Sequence, residues 1–390
     1  MSSEFDRVIP RNGTSSFKYD GRMEVFGTGD VVPLWVADMD FSVPAAVREA
    51  LAERAAHPIY GYTVYPESLY EALIAWQQSR HGWKVERDWI VMCPGVMPSV
   101  HAAIIALSQP DDVVIVQPPV YGPFFGVAKS VGRRLMLNPL RFDDGRYRFD
   151  LEHFERCAAE GARLLLLCSP HNPVGRVWQA DELQALLEIC GRYAVTVVSD
   201  EIHADLVYPG KQHQPLAGLS DGGVKIVTAV APSKTFNIPG LGLSALIVPD
   251  EKDRAAIAKV FDMLHVSAAN PFSIVAFETA YRSGAAWLDD LLGYIEANYQ
   301  FVRMFLQQHL PLIKLTELEG TYLLWLDCRA MGMNDEQLQQ FFVRQAGVGL
   351  SPGIIFGKQG SGFMRMNIAA PRSVIAGALE KIAGAEKLRK

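Results

Sequence analysis

Two charged residues, Lys234 and Asp200, each come directly after a short apolar run. The run 195–198 leads to Asp200, and the run 224–230 leads to Lys234. Short β-branched runs bounded by Gly and Pro are typical of the buried strands of a parallel sheet. Ligands of open α/β sheets bind beyond the carboxyl ends of the strands. The amine and the carboxylate are therefore predicted to meet at one ligand site.

An amine and a carboxylate placed in this order suit pyridoxal phosphate (PLP). The lysine amine bonds the aldehyde carbon of the cofactor, and the carboxylate keeps the pyridine nitrogen protonated, so that the ring takes up electrons from a substrate carbanion. Either residue alone is more typical of a surface lysine or a helix-capping aspartate. The prediction therefore depends on what the neighbouring strand ends supply.

A third strand end carries an asparagine. The apolar run 164–169 leads into 170–175, where Asn172 lies between two prolines in a rigid turn. An amide held at this place can donate a hydrogen bond to the phenolic oxygen of PLP. The alternative is an ordinary turn between a strand and a helix.

A fourth strand end leads through Gly95 into a helical pattern that reaches Leu107. The backbone amides of Val96 and Met97 at such a helix start suit an anion, which here is the phosphate of the cofactor. The segment matches neither a phosphate-binding loop of nucleotide-hydrolysing enzymes nor a dinucleotide fingerprint. By itself a strand, a glycine and a helix are a weak signal.

Taken together, these segments resemble the fold-type I PLP enzymes, the aminotransferase superfamily, over nearly the whole chain. Longer blocks are similar to the MalY/PatB subgroup of carbon–sulfur β-lyases, which includes cystathionine β-lyases. The blocks that carry this resemblance are 33–41, 169–178, 200–206 and 320–327.

The resemblance implies an α/β fold with a PLP-dependent transferase-like large domain, whose mostly parallel sheet is flanked by helices, plus a smaller α+β C-terminal domain. The alternation of strand and helix patterns agrees with it. The predicted parts are an N-terminal arm at 1–43, a large PLP-binding domain at 44–275 and a small domain at 276–390. An amphipathic stretch at 274–308 is predicted as the long helix that joins the domains, and the arm is expected to pack beside it and pass the active site.

The resemblance also implies roles for individual residues. Lys234 matches the lysine that forms the Schiff base, Asp200 the partner of the pyridine nitrogen, and Tyr121 the aromatic residue stacked on the ring; these three form the predicted catalytic set. The predicted cofactor-binding residues are Tyr60, Gly95, Val96, Met97, Tyr121, Asn172, Asp200, His203, Ser233 and Lys234. The predicted substrate-binding residues are Ala37, Asn172 and Arg365.

Two of these roles concern the neighbouring subunit and the substrate. Tyr60 matches a tyrosine that reaches the phosphate in the other subunit, which implies a homodimer with its active site at the subunit interface. Arg365 matches the arginine that grips the substrate α-carboxylate, for which a planar guanidinium offers two parallel hydrogen bonds. The alternatives are a tyrosine-rich loop that packs locally and an arginine on a solvated strand face.

Two positions depart from the pattern of many aminotransferases. Gly242 stands eight residues after Lys234, where those enzymes place a phosphate-binding arginine, and His203 stands three residues after Asp200, where they place a tyrosine. We expect Ser233, the amides of the helix start and Tyr60 to hold the phosphate. This binding should be weaker than in relatives that carry the arginine.

The subgroup resemblance implies a β-lyase that cleaves L-cystathionine or related S-substituted L-cysteines to a thiol, pyruvate and ammonia. An aminotransferase is the alternative, since the same carbanion protonated at another carbon gives transamination. A third interpretation is a PLP-holding regulatory protein that binds a transcription factor, as some members of the subgroup do. The chemistry of the residues alone does not separate these functions.

The composition limits the remaining classes of function. The chain has 390 residues, 49% of them hydrophobic, and a net charge of −6 without a basic run, which argues against nucleic-acid and membrane partners. Its five cysteines show no metal-binding spacing. We therefore predict no metal site, reduced buried thiols and a cytoplasmic protein. The N-terminus lacks the apolar stretch of a signal peptide.

Overall fold

The computed structural model describes residues 4–266 and 270–389. Its strands are β1 (Val32–Pro33), β2 (Ile90–Cys93), β3 (Val113–Val116), β4 (Arg134–Leu137), β5 (Arg141–Asp143), β6 (Arg146–Arg148), β7 (Ala162–Cys168), β8 (Thr196–Asp200), β9 (Ile226–Val230), β10 (Ser244–Ile247), β11 (Lys314–Leu315), β12 (Leu323–Asp327), β13 (Val348–Gly349), β14 (Ser351–Pro352) and β15 (Phe363–Asn367). Its α-helices are α1 (Phe17–Asp20), α2 (Arg22–Phe26), α3 (Ala45–Ala56), α4 (Glu67–His81), α5 (Val96–Leu107), α6 (Phe124–Ser130), α7 (Leu151–Ala159), α8 (Ala180–Tyr193), α9 (Leu216–Leu219), α10 (Glu251–Met263), α11 (Pro271–Ser283), α12 (Ala285–His309), α13 (Asp335–Gln340) and α14 (Arg372–Arg389).

Seven strands form the central sheet, in the order β2-β10-β9-β8-β7-β3-β4. Strand β10 runs antiparallel to both of its neighbours, and the other pairings are parallel. Because β2 and β9 are both antiparallel to β10, they run in the same direction. The predicted mostly parallel sheet is confirmed, and β2, β3, β7, β8 and β9 all end at one edge of it.

The central strands bury both of their faces. On β7, Leu165 and Leu167 pack in a hydrophobic cluster with α7 and α8, whereas Leu164 and Leu166 pack in a second cluster with α5 and α10. Successive side chains of a strand point to opposite faces, so a strand covered on both sides needs apolar residues at every position. This two-sided cover explains the unbroken apolar runs in the sequence.

Four strands form an antiparallel sheet in the C-terminal part of the chain, in the order β11-β12-β15-β14. Within this sheet Arg365 on β15 lies opposite Trp325 on β12 and Ser351 on β14. Strand β1 of the N-terminal arm pairs in parallel with β13, with Val32 opposite Val348. The arm is thus tied to the part of the chain that carries Arg365.

The amphipathic stretch 274–308 is two helices, α11 and α12, and the prediction of one continuous helix is wrong. The break is at Gly284, whose N–H still bonds the carbonyl of Ala280 at 2.9 Å. A Cβ atom at this position would lie 2.2 Å from the buried ring of Phe236. Close packing of Phe236 against the backbone therefore requires glycine here. The predicted domain boundaries at 43/44 and 275/276 stay predictions.

All five cysteines are free and buried, as predicted. In the described part of the chain, no helix has the length and apolar character needed to cross a membrane. Residues 4–266 and 270–389 also contain no group of three or more His, Cys, Asp or Glu side chains that could hold a metal ion.

Candidate active site

Five strand ends carry the predicted site to one edge of the central sheet. Strands β2, β3, β7, β8 and β9 lead, in turn, to Gly95, Tyr121, Asn172, Asp200 and Lys234. Because these strands share one direction, the segments that follow them lie side by side. The structure therefore brings these five residues to one edge of the central sheet, as the sequence predicts.

Lys234 lies in the turn that follows β9. The turn is closed by hydrogen bonds from Phe236 N to Pro232 O (2.9 Å) and from Ile238 N to Ser233 O (3.0 Å). The Lys234 amine donates to the carbonyl oxygen of Ala37 in the N-terminal arm at 2.7 Å. Burial, followed by the charge of Arg365, lowers the pKa of Lys234 to about 8. About a tenth of the amine is therefore neutral and nucleophilic at pH 7, far more than for a lysine with the usual pKa.

Asp200 ends β8 and is only 5% exposed. Its Oδ1 accepts a hydrogen bond from the N–H of Ile202 at 3.1 Å. Burial raises the pKa of Asp200 to about 7, since so few groups near it stabilise the charge. A protonated pyridine nitrogen would supply the cationic hydrogen-bond donor that this carboxylate lacks among the described residues.

Arg365 and Asn172, the residues predicted to bind the substrate, lie in contact with each other. Nη1 of Arg365 donates to Oδ1 of Asn172 at 3.0 Å, and Nη2 donates to the carbonyl of Trp35 at 2.8 Å. The buried Nε has no hydrogen-bond partner among the described residues. Burial lowers the pKa of Arg365 to about 10, so the guanidinium remains charged at neutral pH. A buried arginine with an unused donor suits a ligand carboxylate.

The Arg365→Lys variant should raise KM about tenfold for every amino acid tried, because an ammonium keeps the charge but loses the planar two-point geometry. The absorption spectrum of bound cofactor should stay unchanged, since Arg365 is assigned to the substrate. Steady-state kinetics with several amino acids, together with spectra, measure both effects.

Arg329→Lys is the matched control, because Arg329 makes a bidentate pair with Asp327 in the same sheet but is half-exposed. Its KM values should equal those of the wild type. Loss of the cofactor in Arg365→Lys, or a KM rise for one substrate only, would contradict the assignment.

His203 is 3% exposed, and its buried Nδ1 has no hydrogen-bond partner in the described part of the chain. Burial, followed by the charges of Lys234 and Arg365, lowers the pKa of His203 to about 3, so the ring is neutral. Together with Nε of Arg365 on the C-terminal sheet, this gives two unpartnered polar atoms whose side chains both lie within electrostatic reach of Lys234. Buried polar groups are seldom left unpaired in native proteins, and a polar ligand such as PLP with its substrate would pair them.

The predicted phosphate end is the first turn of α5. Gly95 adopts a φ of 153°, and Ser99 N returns to its carbonyl at 3.0 Å. Pro98 has no N–H, so Val96 and Met97 supply the amides of this turn that remain for a ligand. Gly242 has a φ of 49°, and a Cβ atom there would lie 3.2 Å from the carbonyl of Pro94. Glycine at 242 therefore fits a left-handed backbone that passes close to the same turn.

The two predicted tyrosines differ in position. Tyr121 is partly buried, and burial together with the charge of Asp200 raises its pKa, which places it within the electrostatic reach of the site. Tyr60 is 56% exposed, and its hydroxyl donates to the carbonyl of Ala55 at 2.6 Å. A single chain thus brings Tyr121 to the site but not Tyr60.

Sequence analysis did not find the side chains that hold the arm segment, defined as residues 35–41. Two asparagines bind four of its carbonyl groups. The hydrogen bonds run from Asn367 Nδ2 to Val36 O (2.7 Å) and Asp38 O (2.6 Å), and from Asn237 Nδ2 to Met39 O (3.0 Å) and Phe41 O (2.9 Å). Asn367 ends β15 and Asn237 follows Lys234, so the segment is fastened to both sheets beside the site.

Sequence analysis also missed the role of Asp205, a buried carboxylate that binds the residue next to Lys234. Asp205 accepts hydrogen bonds from the Thr235 hydroxyl (2.7 Å), the Trp76 indole (2.9 Å) and His81 Nε2 (2.8 Å). Burial acts to raise the pKa of Asp205, but these donors outweigh it and hold the pKa below its usual range. Since Thr235 adjoins Lys234, this network fixes the turn that carries the amine. The only signal in the sequence was the position of Asp205 within the block 200–206.

Comparison with known proteins agrees with this geometry. Residues 29–382 match the family model "Aminotransferase class I and II". The chain is 43% identical to "Cystathionine beta-lyase PatB" of Bacillus subtilis, covering 98% of this chain and 99% of that protein, and 31% identical to "Protein MalY" of Escherichia coli, covering 95% of each. The crystal structure of cystalysin from Treponema denticola, which contains a pyridoxal 5'-phosphate cofactor, superposes with a TM-score of 0.96 at 36% identity over all of both chains. These matches confirm the resemblance to the MalY/PatB subgroup, and the chain belongs to the aminotransferase class I and II family.

Proposed function

We propose that the protein is a PLP-dependent carbon–sulfur β-lyase that acts on L-cystathionine or related S-substituted L-cysteines. The observation that carries the proposal is the placement of Lys234, an amine with a lowered pKa, at the same strand edge as buried Asp200 and within the electrostatic reach of Arg365 on the C-terminal sheet. The similarity to a cystathionine beta-lyase and to cystalysin along nearly the whole chain supports this activity over others.

The residues present fit PLP. Lys234 would bond its aldehyde carbon, Asp200 its pyridine nitrogen, and Tyr121 would stack on the ring. The amide of Asn172 and the neutral His203 would contact the phenolic oxygen, while Ser233 and the first turn of α5 would hold the phosphate. When bound, PLP supplies an electron sink for the electrons of a substrate Cα–H bond.

The protein's own groups then guide the reaction. Arg365 holds the α-carboxylate of the amino acid, which fixes the direction of the Cα–H bond. The free amine of Lys234 takes the Cα proton, and its lowered pKa makes it a competent base near neutral pH. A thiolate at Cβ then leaves. Hydrolysis of the remaining three-carbon unit yields pyruvate and ammonia.

An aminotransferase remains the second candidate, because the family and the proton chemistry are shared. A dicarboxylate-specific transferase needs a second arginine for the distal carboxylate. Among the described residues the buried arginines are Arg365 and Arg176, and Arg176 is already paired with Glu182 and Glu319. The buried arginines of the described residues therefore offer no free second side chain to bind a distal carboxylate, which favours the lyase.

Incubating the purified protein with L-cystathionine, and separately with an amino acid plus a keto acid, tests the proposed function. We expect pyruvate and free thiol in the first reaction, and no new amino acid at a comparable rate in the second. A new amino acid without thiol release would identify a transferase. No turnover in either reaction would favour the third interpretation, a regulatory protein that holds PLP.

A homodimer and a cytoplasmic location belong to the same proposal. The loop around Tyr60 exposes large apolar side chains, namely Ile59, Tyr62 and Val64. Such a cluster on a monomer is typical of a surface that another chain covers. The five free, buried thiols suit a reducing compartment.

The Tyr60→Phe variant should weaken PLP binding about tenfold, because it removes a hydroxyl that is assigned to the phosphate in the other subunit. Mixing it with Lys234→Ala should restore wild-type affinity in the mixed dimers, whose sites with Lys234 receive Tyr60 from the second chain. PLP titration of each protein and of the mixture measures this.

Tyr62→Phe is the matched control, since Tyr62 is fully exposed in the same loop. Its PLP affinity should not change. An active monomer in light scattering, or a mixture that binds no better than its components, would contradict the assignment of Tyr60.

A further inference from the structure

The carbonyl oxygen of Ala37 accepts two hydrogen bonds from side chains. One comes from the Lys234 amine at 2.7 Å and the other from the hydroxyl of Tyr322 at 3.0 Å. A carbonyl oxygen has two lone pairs, so both donors can bind at once. Tyr322 is 1% exposed and directly precedes β12.

The Ala37 carbonyl is held in place independently of Lys234. The carbonyls on either side of it, those of Val36 and Asp38, both accept from Asn367 at 2.7 and 2.6 Å. The peptide group of Ala37 is therefore fixed in orientation and stays available as an acceptor. The Ala37 carbonyl therefore keeps its position whether or not Lys234 donates a hydrogen bond to it.

The chemistry of the cofactor removes one of the two donors. When a neutral lysine amine condenses with the aldehyde carbon of PLP, both of its N–H bonds are replaced by a double bond to carbon and one water molecule leaves. Any proton that this nitrogen then carries would be shared with the neighbouring phenolic oxygen of PLP, so Lys234 no longer donates to Ala37. This step rests on the proposed role of Lys234.

We propose that Tyr322 is a positioning residue whose hydroxyl keeps the Ala37 carbonyl hydrogen-bonded while Lys234 is joined to the cofactor. A buried carbonyl without a donor costs free energy. Because the Tyr322 hydroxyl stays hydrogen-bonded to the Ala37 carbonyl, less free energy is lost when Lys234 leaves that carbonyl and bonds to the cofactor. Burial raises the pKa of Tyr322, so its hydroxyl stays protonated and able to donate.

The Tyr322→Phe variant tests this role. Without the hydroxyl, bonding of Lys234 to PLP leaves Ala37 without a side-chain donor. Titration of the PLP-free protein, followed by the absorption band of the bonded cofactor, should show about fivefold weaker binding. A PLP analogue that lacks the aldehyde oxygen, 4'-deoxypyridoxine phosphate, should bind as tightly as to the wild type, because Lys234 stays on Ala37.

Tyr208→Phe is the matched control. Tyr208 is also buried, and its hydroxyl donates to the carbonyl of Thr321 at 2.7 Å, so the variant loses an equivalent bond outside the site. It should bind both ligands normally. An unchanged affinity of Tyr322→Phe for PLP would overturn the proposal. Equal weakening for PLP and for the analogue would overturn it too, since that result indicates general damage to the site.

The outcome can be separated from a failure of the proposed function. If Lys234→Ala retains the band of the bonded cofactor, then Lys234 is not the bonding residue and the proposed function fails. If Lys234→Ala loses the band while Tyr322→Phe behaves as the wild type, then only the role of Tyr322 is wrong.

Discussion

Replacing Lys234 by alanine should abolish carbon–sulfur cleavage, with a fall in turnover of about 10,000-fold or more. The variant loses both the amine that bonds PLP and the base that takes the Cα proton, and each loss alone is large. The absorption band of the bonded cofactor should vanish as well. Kinetics with L-cystathionine and spectra of the purified variant measure the two effects.

Lys225→Ala is the matched control for this variant. Lys225 directly precedes β9, the strand that leads to Lys234, but its side chain is exposed and pairs with Asp253 at 2.9 Å. Turnover and spectrum should both be retained. A Lys234→Ala protein with normal activity would contradict the whole account of the site.

Replacing Asp200 by asparagine should lower kcat/KM about 100-fold or more. Asparagine has nearly the same shape, but it lacks the charge that keeps the pyridine nitrogen protonated. The ring then withdraws electrons poorly when Lys234 takes the Cα proton. The lysine is untouched, so the cofactor should still bond to the protein.

Asp289→Asn provides the comparison, because Asp289 is an exposed aspartate that pairs with Arg80 on the surface. Its kcat/KM should equal that of the wild type. A loss of less than a few-fold in Asp200→Asn would show that Asp200 only shapes the end of β8.

The sheet and its strand-end residues could be predicted because the signal is local. Lys234, Asp200 and Asn172 each follow a largely apolar run within a few residues, and two-sided burial accounts for the apolar character of those runs. The carboxyl ends of parallel strands meet, so adjacency in space follows from adjacency to a strand end. The family resemblance then gave Tyr121 and Arg365 their predicted roles, whereas His203 departs from the pattern of many aminotransferases.

The asparagine hydrogen bonds that hold the arm segment could not be predicted, because they join distant parts of the sequence. Asn367 binds Val36 across 331 positions and Asn237 binds Met39 across 198. In the sequence, Asn367 merely ends an apolar strand pattern. The role proposed for Tyr322 likewise depends on its hydrogen bond to the Ala37 carbonyl. Every residue has a backbone carbonyl, so the sequence does not indicate which one a tyrosine binds.

Two other features depend on packing that local patterns do not encode. The glycine at 284, where the two helices meet, is required by the ring of Phe236, which lies 48 positions away in the chain. The role assigned to Tyr60 requires a second copy of the chain, so this assignment remains a prediction of the proposed dimer. Local periodicity alone therefore favoured one long helix where the fold has two.

If Lys234 carries the cofactor, chemical trapping should reveal the cofactor on that lysine. Borohydride reduces the bond between a lysine and PLP to a stable amine, which marks the lysine with a phosphopyridoxyl group. Digestion and mass spectrometry of the reduced protein should place this group on Lys234, in one copy per chain. A label on another lysine, or an unlabelled Lys234 in protein whose cofactor band has been abolished, would contradict the account.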